Sequence, residues 1–519
     1  MVEVDRPHPR KIRPAELILV VKQCTCGSVL PLLFTMLSVG VVRHPLPPGP
    51  KPLPLIGNLL DMPRSKSQQT FSKWTDLYGD VVYLNVFGRH IILLNSVKST
   101  NDLLEKRGQN YSDRPQFPLI NLVGHGWNFG FKPYGKEWQS LRRTFTSQYN
   151  SNVTLRSFYE AHRDSASTFL VNIFREPEGI SNHLRIRSAQ IILEVTYGIS
   201  VKSSDDPVLR NAEAVMDVVS TALSPGMWII NPISILRFIP QWLGGGLVAA
   251  QVRRWQADLE DLRHVPFNVV KNSMAHGIAK PCFTANLLQE SAVVDETLIR
   301  DTAAIALGAA YETSFVAGEV FILAMVLNEW VQHSAQTEID SVVGSDRLPD
   351  FIDRERLPFI TAIVKEVLRW HPPAPTGIPH RLTQDDIYEG MFLPAGSMVM
   401  GNIWQILHDP LMYPDPSKFD PNRYIVDGKL DCSNNDPSRY AFGFGRRACP
   451  GRLFTEDSLW LMIAQFLAVY SVLPSADGPL PEAAFTSGAI SRPVPFKHVI
   501  LPRSTAARKL LAELIQADD

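Results

Sequence analysis

The sequence predicts a mainly α-helical chain with small β-sheets, and three observations carry that expectation. Apolar stretches with polar interruptions run over residues 302–330 and 453–472, lengths that suit helices and exceed ordinary strands. Short β-rich runs occur at 81–86 and 91–94, joined around Gly88. No low-complexity linker divides the 519 residues after the N-terminal region, so one large domain is expected. With 45% apolar residues a sizeable core can be buried, and a net charge of −1 gives no reason to expect nucleic acid as a partner. The five cysteines, Cys24, Cys26, Cys282, Cys432 and Cys449, are odd in number, scattered and free of any C-x-x-C pair. That argues against a disulfide framework and against structural zinc, and fits a domain facing a reducing compartment.

Residues 1–22 form an N-terminal segment, and residues 23–42 carry no formal charge between Lys22 and Arg43. Twenty such positions are enough to span a bilayer as a helix. A cleaved signal peptide would have a shorter apolar core, and a buried core helix is disfavoured by the proline-rich stretch that follows. That stretch, within residues 43–54, reads as a stiff extended hinge. Lys and Arg number five before the span (Arg6, Arg10, Lys11, Arg13, Lys22) and four after it (Arg43, Lys51, Arg64, Lys66), so charge alone barely sets orientation. Asn110 and Asn152 sit in N-x-S/T sequons, and glycans there would place the domain on the lumenal side.

Residues 71–78 read as a helix, the two short runs after it as a small sheet, and 108–134 as a long aromatic loop without a steady period. The run 124–130 is no dinucleotide fingerprint, because position 129 is Phe. Residues 136–143 are helical in pattern and set Trp138 and Arg142 one turn apart, where an exposed arginine stacked on an indole is the simplest reading. Helical patterns alternate over 154–223, and 224–246 is apolar, aromatic and rich in helix breakers. The central helix, 302–330, contains Glu312 and Thr313, an acid beside a hydroxyl in apolar surroundings. Thr313 bonding back to a carbonyl one turn earlier, with Glu312 paired to a surface base, would account for both. Glu366 and Arg369 share a helical face, and Pro372–Pro379 ends that helix. An irregular stretch, 404–439, leads to Phe442-Gly443-Phe444-Gly445-Arg446-Arg447-Ala448-Cys449-Pro450-Gly451. There the glycines permit close backbone approach, and a helix starting after Pro450 would stabilise a thiolate at Cys449 and lower its pKa. Taken alone, a lone cysteine in such a turn is most often a buried structural residue. Residues 487–490 read as a turn and 504–519 as an amphipathic tail.

Phe442, Gly445, Arg447, Cys449 and Gly451, five specified positions in ten, resemble the haem-binding loop of the cytochrome P450 family. The resemblance runs over residues 45–503, with Trp138 and Arg142, the Glu312–Thr313 pair, Glu366 and Arg369, Arg423 and the cysteine loop in the family's order. It implies the triangular, mostly helical haem-thiolate fold, with residues 55–503 as catalytic domain behind an N-terminal anchor. It implies heme b with iron bound by Cys449, Phe442 beside the sulfur, Gly445 within the loop, and Arg447, Trp138, Arg142 and Arg381 toward the propionates. Glu312 and Thr313 become an acid–alcohol proton relay, although Ala310 stands where Gly is common and Glu312 where Asp is frequent. Glu366, Arg369 and Arg423 become a structural triad.

The activity implied is that of a monooxygenase inserting one atom of O2 into a lipophilic small molecule, with electrons from a membrane-bound NADPH-cytochrome P450 reductase. Lys136, Arg143 and Arg446 offer it a basic docking face. The pocket implied is formed by residues 119–123, Ala306, Leu307, Ala309, 376–378 and 488–490, nearly free of charge. The sequence resembles membrane-bound fungal secondary-metabolite members, which implies a single-pass protein of the endoplasmic reticulum with its catalytic domain in the cytosol, contacting membrane lipid partly through 224–246. A terpenoid scaffold is the first expectation for the substrate, and an aromatic, indole-type or polyketide metabolite the next. An O2-independent haem-thiolate isomerase or dehydratase is the rival enzyme class, and a haem sensor the rival outside catalysis.

Overall fold

Phe87 and Gly88, both at positive φ (+50° and +77°), close a two-residue turn between the first two strands, the geometry that matches strand twist in a tight hairpin. The structure is a computed structural model describing residues 44–150, 152–201, 203, 205–223, 245–290, 295–433 and 435–518. The expected anchor, 23–42, and nearly all of 224–246 lie outside the described residues. The chain divides into two compact units. In the smaller, residues 44–46 and 387–392 are described. There the Phe392 N–H donates to the Pro45 carbonyl at 2.7 Å, and a His44 ring nitrogen meets the Gly390 carbonyl at 3.1 Å. The larger comprises 47–386 and 393–519.

Within the larger unit, α1 (Ser67–Tyr78) precedes β1 (Val81–Val86) and β2 (Arg89–Leu94). Then come α2 (Pro118–Val123), α3 (Lys136–Tyr149), α4 (Tyr159–Arg175), α5 (Ile180–Tyr197), α6 (Pro207–Leu223), α7 (Gly245–Ala275) and α8 (Phe283–Gln289). The long α9 (Glu296–Leu327) follows, then α10 (Glu329–Val342), α11 (Pro358–Trp370), β3 (His380–Arg381) and β4 (Met398–Gly401). The last elements are α12 (Arg452–Val469), β5 (Tyr470–Pro474), β6 (His498–Pro502) and α13 (Thr505–Asp518). The largest sheet has the order β1-β2-β4-β3, with β2 parallel to β4 in the register Ile91↔Met398 and β3 antiparallel in the register His380↔Val399. The proline-rich stretch enters extended, and its Pro48 carbonyl accepts the Tyr83 N–H at 2.9 Å.

Helix α9 begins where the Asp295 side chain accepts the Thr297 N–H, an ordinary N-cap. Among the described residues it is the one helix long and apolar enough to cross a membrane, and most of that apolar stretch is buried inside the protein. It is a core helix. Its first half, around Ile299–Tyr311, packs with α3, α5, α6 and α7; its second, around Phe315–Val326, packs with α4, α5, α11 and α12. The break between these two apolar clusters falls on Glu312, Thr313 and Ser314, which are only half-buried.

Several expectations change in detail. The 108–134 segment is no continuous loop: α2 forms within it, with Pro118 at its start and Gly124 in the left-handed conformation (φ +104°) past its end. Six residues give too few turns for a visible period. Residues 504–519 are no free tail, because α13 packs on α4 and α12 and buries Ala507 and Leu511. Glu366 and Arg369 have no exposed side-chain surface and bond at 2.7 and 2.8 Å. Arg423 reaches the same carboxylate at 3.3 Å, as do the Tyr424 hydroxyl and the Asp420 N–H, so the expected triad is present. The Asn110 side chain is held by Thr383 and Gln384, which does not suit a glycan acceptor.

Candidate haem site

The loop before α12 is folded by backbone and arginine bonds. The Cys449 N–H donates to the Phe442 carbonyl at 2.7 Å, pinching the loop between its first residue and its cysteine. Arg142 of α3 donates to the Ala448 carbonyl, so the two motifs meet one residue from the sulfur. Gly445 has φ +55°, and a Cβ there would lie 2.1 Å from the Leu104 carbonyl oxygen. The close approach that requires glycine is therefore to protein backbone rather than to a planar ligand. Gly451 has φ −91° and caps α12, which starts at Arg452, so Pro450 precedes the helix instead of opening it.

This geometry corrects the expectation for the thiol. Burial is the larger effect and pushes Cys449 above the ordinary thiol value, against the pull of the Gly451 N–H, Arg142 and Arg452. Two residues still separate the sulfur from the first turn, where a helix dipole is strongest. Although surrounded by protein, Cys449 keeps accessible surface. Ala309 also does, in the middle of α9 after a run of buried residues, 302–308. Ala306 and Leu307, expected to line a pocket, are instead fully packed in the core.

Four guanidiniums collect beside the loop. Arg447 donates to the Ser112, Phe129 and Lys132 carbonyls and lies 4.5 Å above the Trp138 ring. Arg114 is buried and donates to the carbonyls of Gly130, Ile378 and Pro379. Arg381 pairs with Asp113 at 3.3 Å. Arg142 is the fourth. Burial, reinforced by the Arg142 charge, pushes Arg447 down to about 10, and burial with the Arg447 and Arg142 charges pushes Arg114 well below its ordinary value. Among the described residues Asp113 is the carboxylate that offsets this charge, leaving the cluster short of anions. Among the described residues the buried Trp138 indole N–H has no hydrogen-bond partner. A flat group bearing two carboxylates, with a metal facing the sulfur, fits this donor set.

Trp138, Arg142, Arg381, Arg447, Phe442 and Cys449 thus come together, with Gly445 at the loop's back. Arg114 was missed by sequence reasoning. Its signal was a single Asp-Arg pair inside an aromatic and proline-rich stretch. His380 bonds the Tyr111 carbonyl at 2.8 Å and is a buried strand histidine. On α9, the Thr313 hydroxyl donates to the Ala309 carbonyl at 2.9 Å, and the helix continues unbroken past Ala310. Glu312 Oε2 is buried without a partner among the described residues. Burial, with the Asp217 and Glu213 carboxylates, pushes Glu312 up to about 7 against Arg492 and Arg185. No surface base is bonded to it among the described residues.

A family model described as cytochrome P450 matches residues 47–500. The chain belongs to the cytochrome P450 family. Cytochrome P450 monooxygenase 105 of Postia placenta is 37% identical over 516 residues, covering 97% of this chain and 97% of the relative. Cytochrome P450 monooxygenase ARMGADRAFT_974139 of Armillaria gallica is 37% identical over 481 residues, 90% of this chain and 94% of the relative. Cytochrome P450 monooxygenase COX2 of Coprinopsis cinerea is 36% identical over 484 residues, 91% and 92% respectively. Cytochrome P450 enzymes carry haem with cysteine-ligated iron and use O2 and a lipophilic substrate, typically with a redox partner. The chain is accordingly a haem-thiolate monooxygenase by family.

Proposed function

We propose that Cys449 binds the iron of a b-type haem whose propionates are met by Arg114, Arg142, Arg381, Arg447 and the Trp138 N–H. The observation that carries this reading is the excess of buried positive charge gathered around the cysteine loop. When bound, the thiolate-ligated haem supplies oxygen activation, because thiolate donation favours O–O cleavage. A metal bound there would hold Cys449 as the thiolate, which burial alone disfavours. Phe442 and Arg142 fix the peptide unit that leads into Cys449, through its N–H and its carbonyl, and Gly445 lets the loop pass Leu104.

On α9, Thr313 positions a hydroxyl and Glu312 holds a transferable proton at neutral pH. The Thr313 donor is committed to Ala309, so its oxygen lone pairs remain to accept. In Thr313→Ala, product formed per NADPH is expected to fall by about tenfold or more while peroxide release rises, since positioned acid–base groups contribute on the order of 10²-fold or more. Full coupling in that variant removes Thr313 from the relay.

The substrate proposed is a lipophilic secondary metabolite, first a terpenoid scaffold and next an aromatic, indole-type or polyketide one. A cleft of about 270 Å³ opens between α2, α6 and α7, with Leu119, Val218 and Trp255 on its apolar side and Asp217, Arg254 and Asp258 on its polar side. Such a lining accepts an apolar body carrying a few polar groups. Electrons are proposed to come from a membrane-bound NADPH-cytochrome P450 reductase docking at Lys136, Arg143 and Arg446, all exposed. Reversing these three charges should lower reductase-supported turnover most steeply at low salt. Equal turnover at all salt concentrations would place the docking face elsewhere. Residues 23–42 are proposed as a single-pass endoplasmic reticulum anchor that sets the domain against cytosolic membrane lipid. The activity test is co-expression with the reductase in microsomes, screening for products that gain one oxygen from labelled dioxygen. Product formed without dioxygen would favour the isomerase or dehydratase reading.

A further inference from the structure

A helical strap lies along the cysteine loop where the loop leaves Phe444. Asn101–Lys106 is a π-helix and Gly108–Tyr111 a single α-helical turn. The wide π form is rare and is kept most often at functional sites. Positions 104–105, 108 and 112 of the strap fall about one turn apart, so they share a face, and each meets one of three successive loop residues. The Gly445 N–H donates to the Glu105 carboxylate at 2.6 Å, beside the Leu104 carbonyl that leaves Gly445 no room for a Cβ. A Cβ on Gly108 would lie 3.9 Å from the Arg446 side chain. Arg447 Nε donates to the Ser112 carbonyl at 2.7 Å.

Leu104, Gly108 and Ser112 act through backbone or through the lack of a side chain. Glu105 is the exception. It is exposed, and among the described residues the bond to Gly445 is the one that its carboxylate makes. Holding a long exposed side chain in one rotamer costs entropy, which a bond of this charge-assisted kind, about twice as strong as a neutral one, can offset. From Gly445 the hold runs on toward the sulfur. The Gly445 carbonyl accepts the Ala448 N–H at 3.1 Å, and Ala448 directly precedes Cys449. Gly445, at φ +55°, has no side chain to wedge its own backbone, so its conformation depends on what is bonded to it.

We propose that Glu105 is a positioning residue for the iron ligand, holding the cysteine loop, through the Gly445 N–H, in the shape that presents Cys449 to the metal. The proposal rests on the reading of Cys449 as that ligand. Loss of the carboxylate frees one side of the Gly445 peptide, and the motion passes through the Ala448 bond to the residue that carries the sulfur. The other ties of the loop, Cys449 N–H on Phe442 and Arg142 on Ala448, remain, so the fold survives while the sulfur is held less firmly.

The test uses the purified haem-loaded protein, reduced under carbon monoxide in moderate urea, and follows the long-wavelength Soret band as it gives way to the shorter-wavelength band of iron without its thiolate. In Glu105→Ala this conversion should run about tenfold faster than in the parent, the factor that one hydrogen bond to a charged group is worth. Glu105→Gln, whose amide oxygen can accept the same N–H, should stay close to the parent. Conversion of Glu105→Ala at the parent's rate overturns the proposal. So does Glu105→Gln converting as fast as Glu105→Ala, because the carboxylate would then act by charge rather than by holding the N–H. A lower unfolding midpoint by circular dichroism without faster conversion assigns Glu105 a general structural part and overturns it as well. A parent protein lacking the long-wavelength band overturns the reading of Cys449 itself, a failure visible before any variant is compared.

Discussion

Cys449→Ala is expected to eliminate the long-wavelength Soret band of the reduced carbon monoxide complex and to bring oxygenated product below detection. The loop should nonetheless stay folded. Its shape is set by the Cys449 N–H on Phe442, by Arg142 on Ala448 and by the three carbonyls that hold Arg447, none of which needs the sulfur. The circular dichroism spectrum and thermal midpoint of the variant should therefore stay close to those of the parent. This separates loss of a ligand from loss of a fold. A variant that kept the shifted band would show the metal to be held by another group.

The second large effect falls on stability. Glu366→Ala leaves Arg369 and Arg423 facing each other without their shared carboxylate, and strips partners from the Tyr424 hydroxyl and the Asp420 N–H. Removing one member of a buried ion pair costs about 3–5 kcal/mol, against a total stability of about 5–15 kcal/mol. Soluble yield should collapse, and any protein recovered should melt well below the parent. Arg369→Ala should behave alike, because Arg369 also donates to the Leu407, Pro416 and Lys418 carbonyls. Glu366→Gln keeps the shape and loses the charge, so it should fall between. The measurement is thermal unfolding at a fixed scan rate, with yield from matched cultures. A Glu366→Ala protein of undiminished midpoint would mean that the group is dispensable.

These two sites also show what the sequence disclosed. The three-residue spacing of Glu366 and Arg369 revealed a shared helical face. Their burial was not legible from spacing, because it depends on Arg423 and on carbonyls from the irregular stretch before the cysteine loop. Trp138 and Arg142 were readable as a pair, yet the cation stacked on Trp138 is Arg447, brought there only by tertiary folding. The thiol expectation failed for a local reason: the helix starts two residues later than the proline suggested, and burial outweighs the dipole. Gly445 was singled out for close approach to a planar group, but the neighbour that forbids a side chain is the Leu104 carbonyl, which no motif encodes. Arg114 escaped because a buried arginine bonded to carbonyls leaves no periodic trace.

Helix α13 carries a consequence for how the protein is made. Its Leu511 is wholly enclosed against α4 and α12, so residues far along the chain complete a core begun well upstream. While the ribosome still holds those residues in its exit tunnel, that seat stays bare and wet, and the nascent domain cannot finish closing. A premature stop near residue 504 would leave a permanent greasy scar on the surface, a feature that quality-control machinery reads as damage.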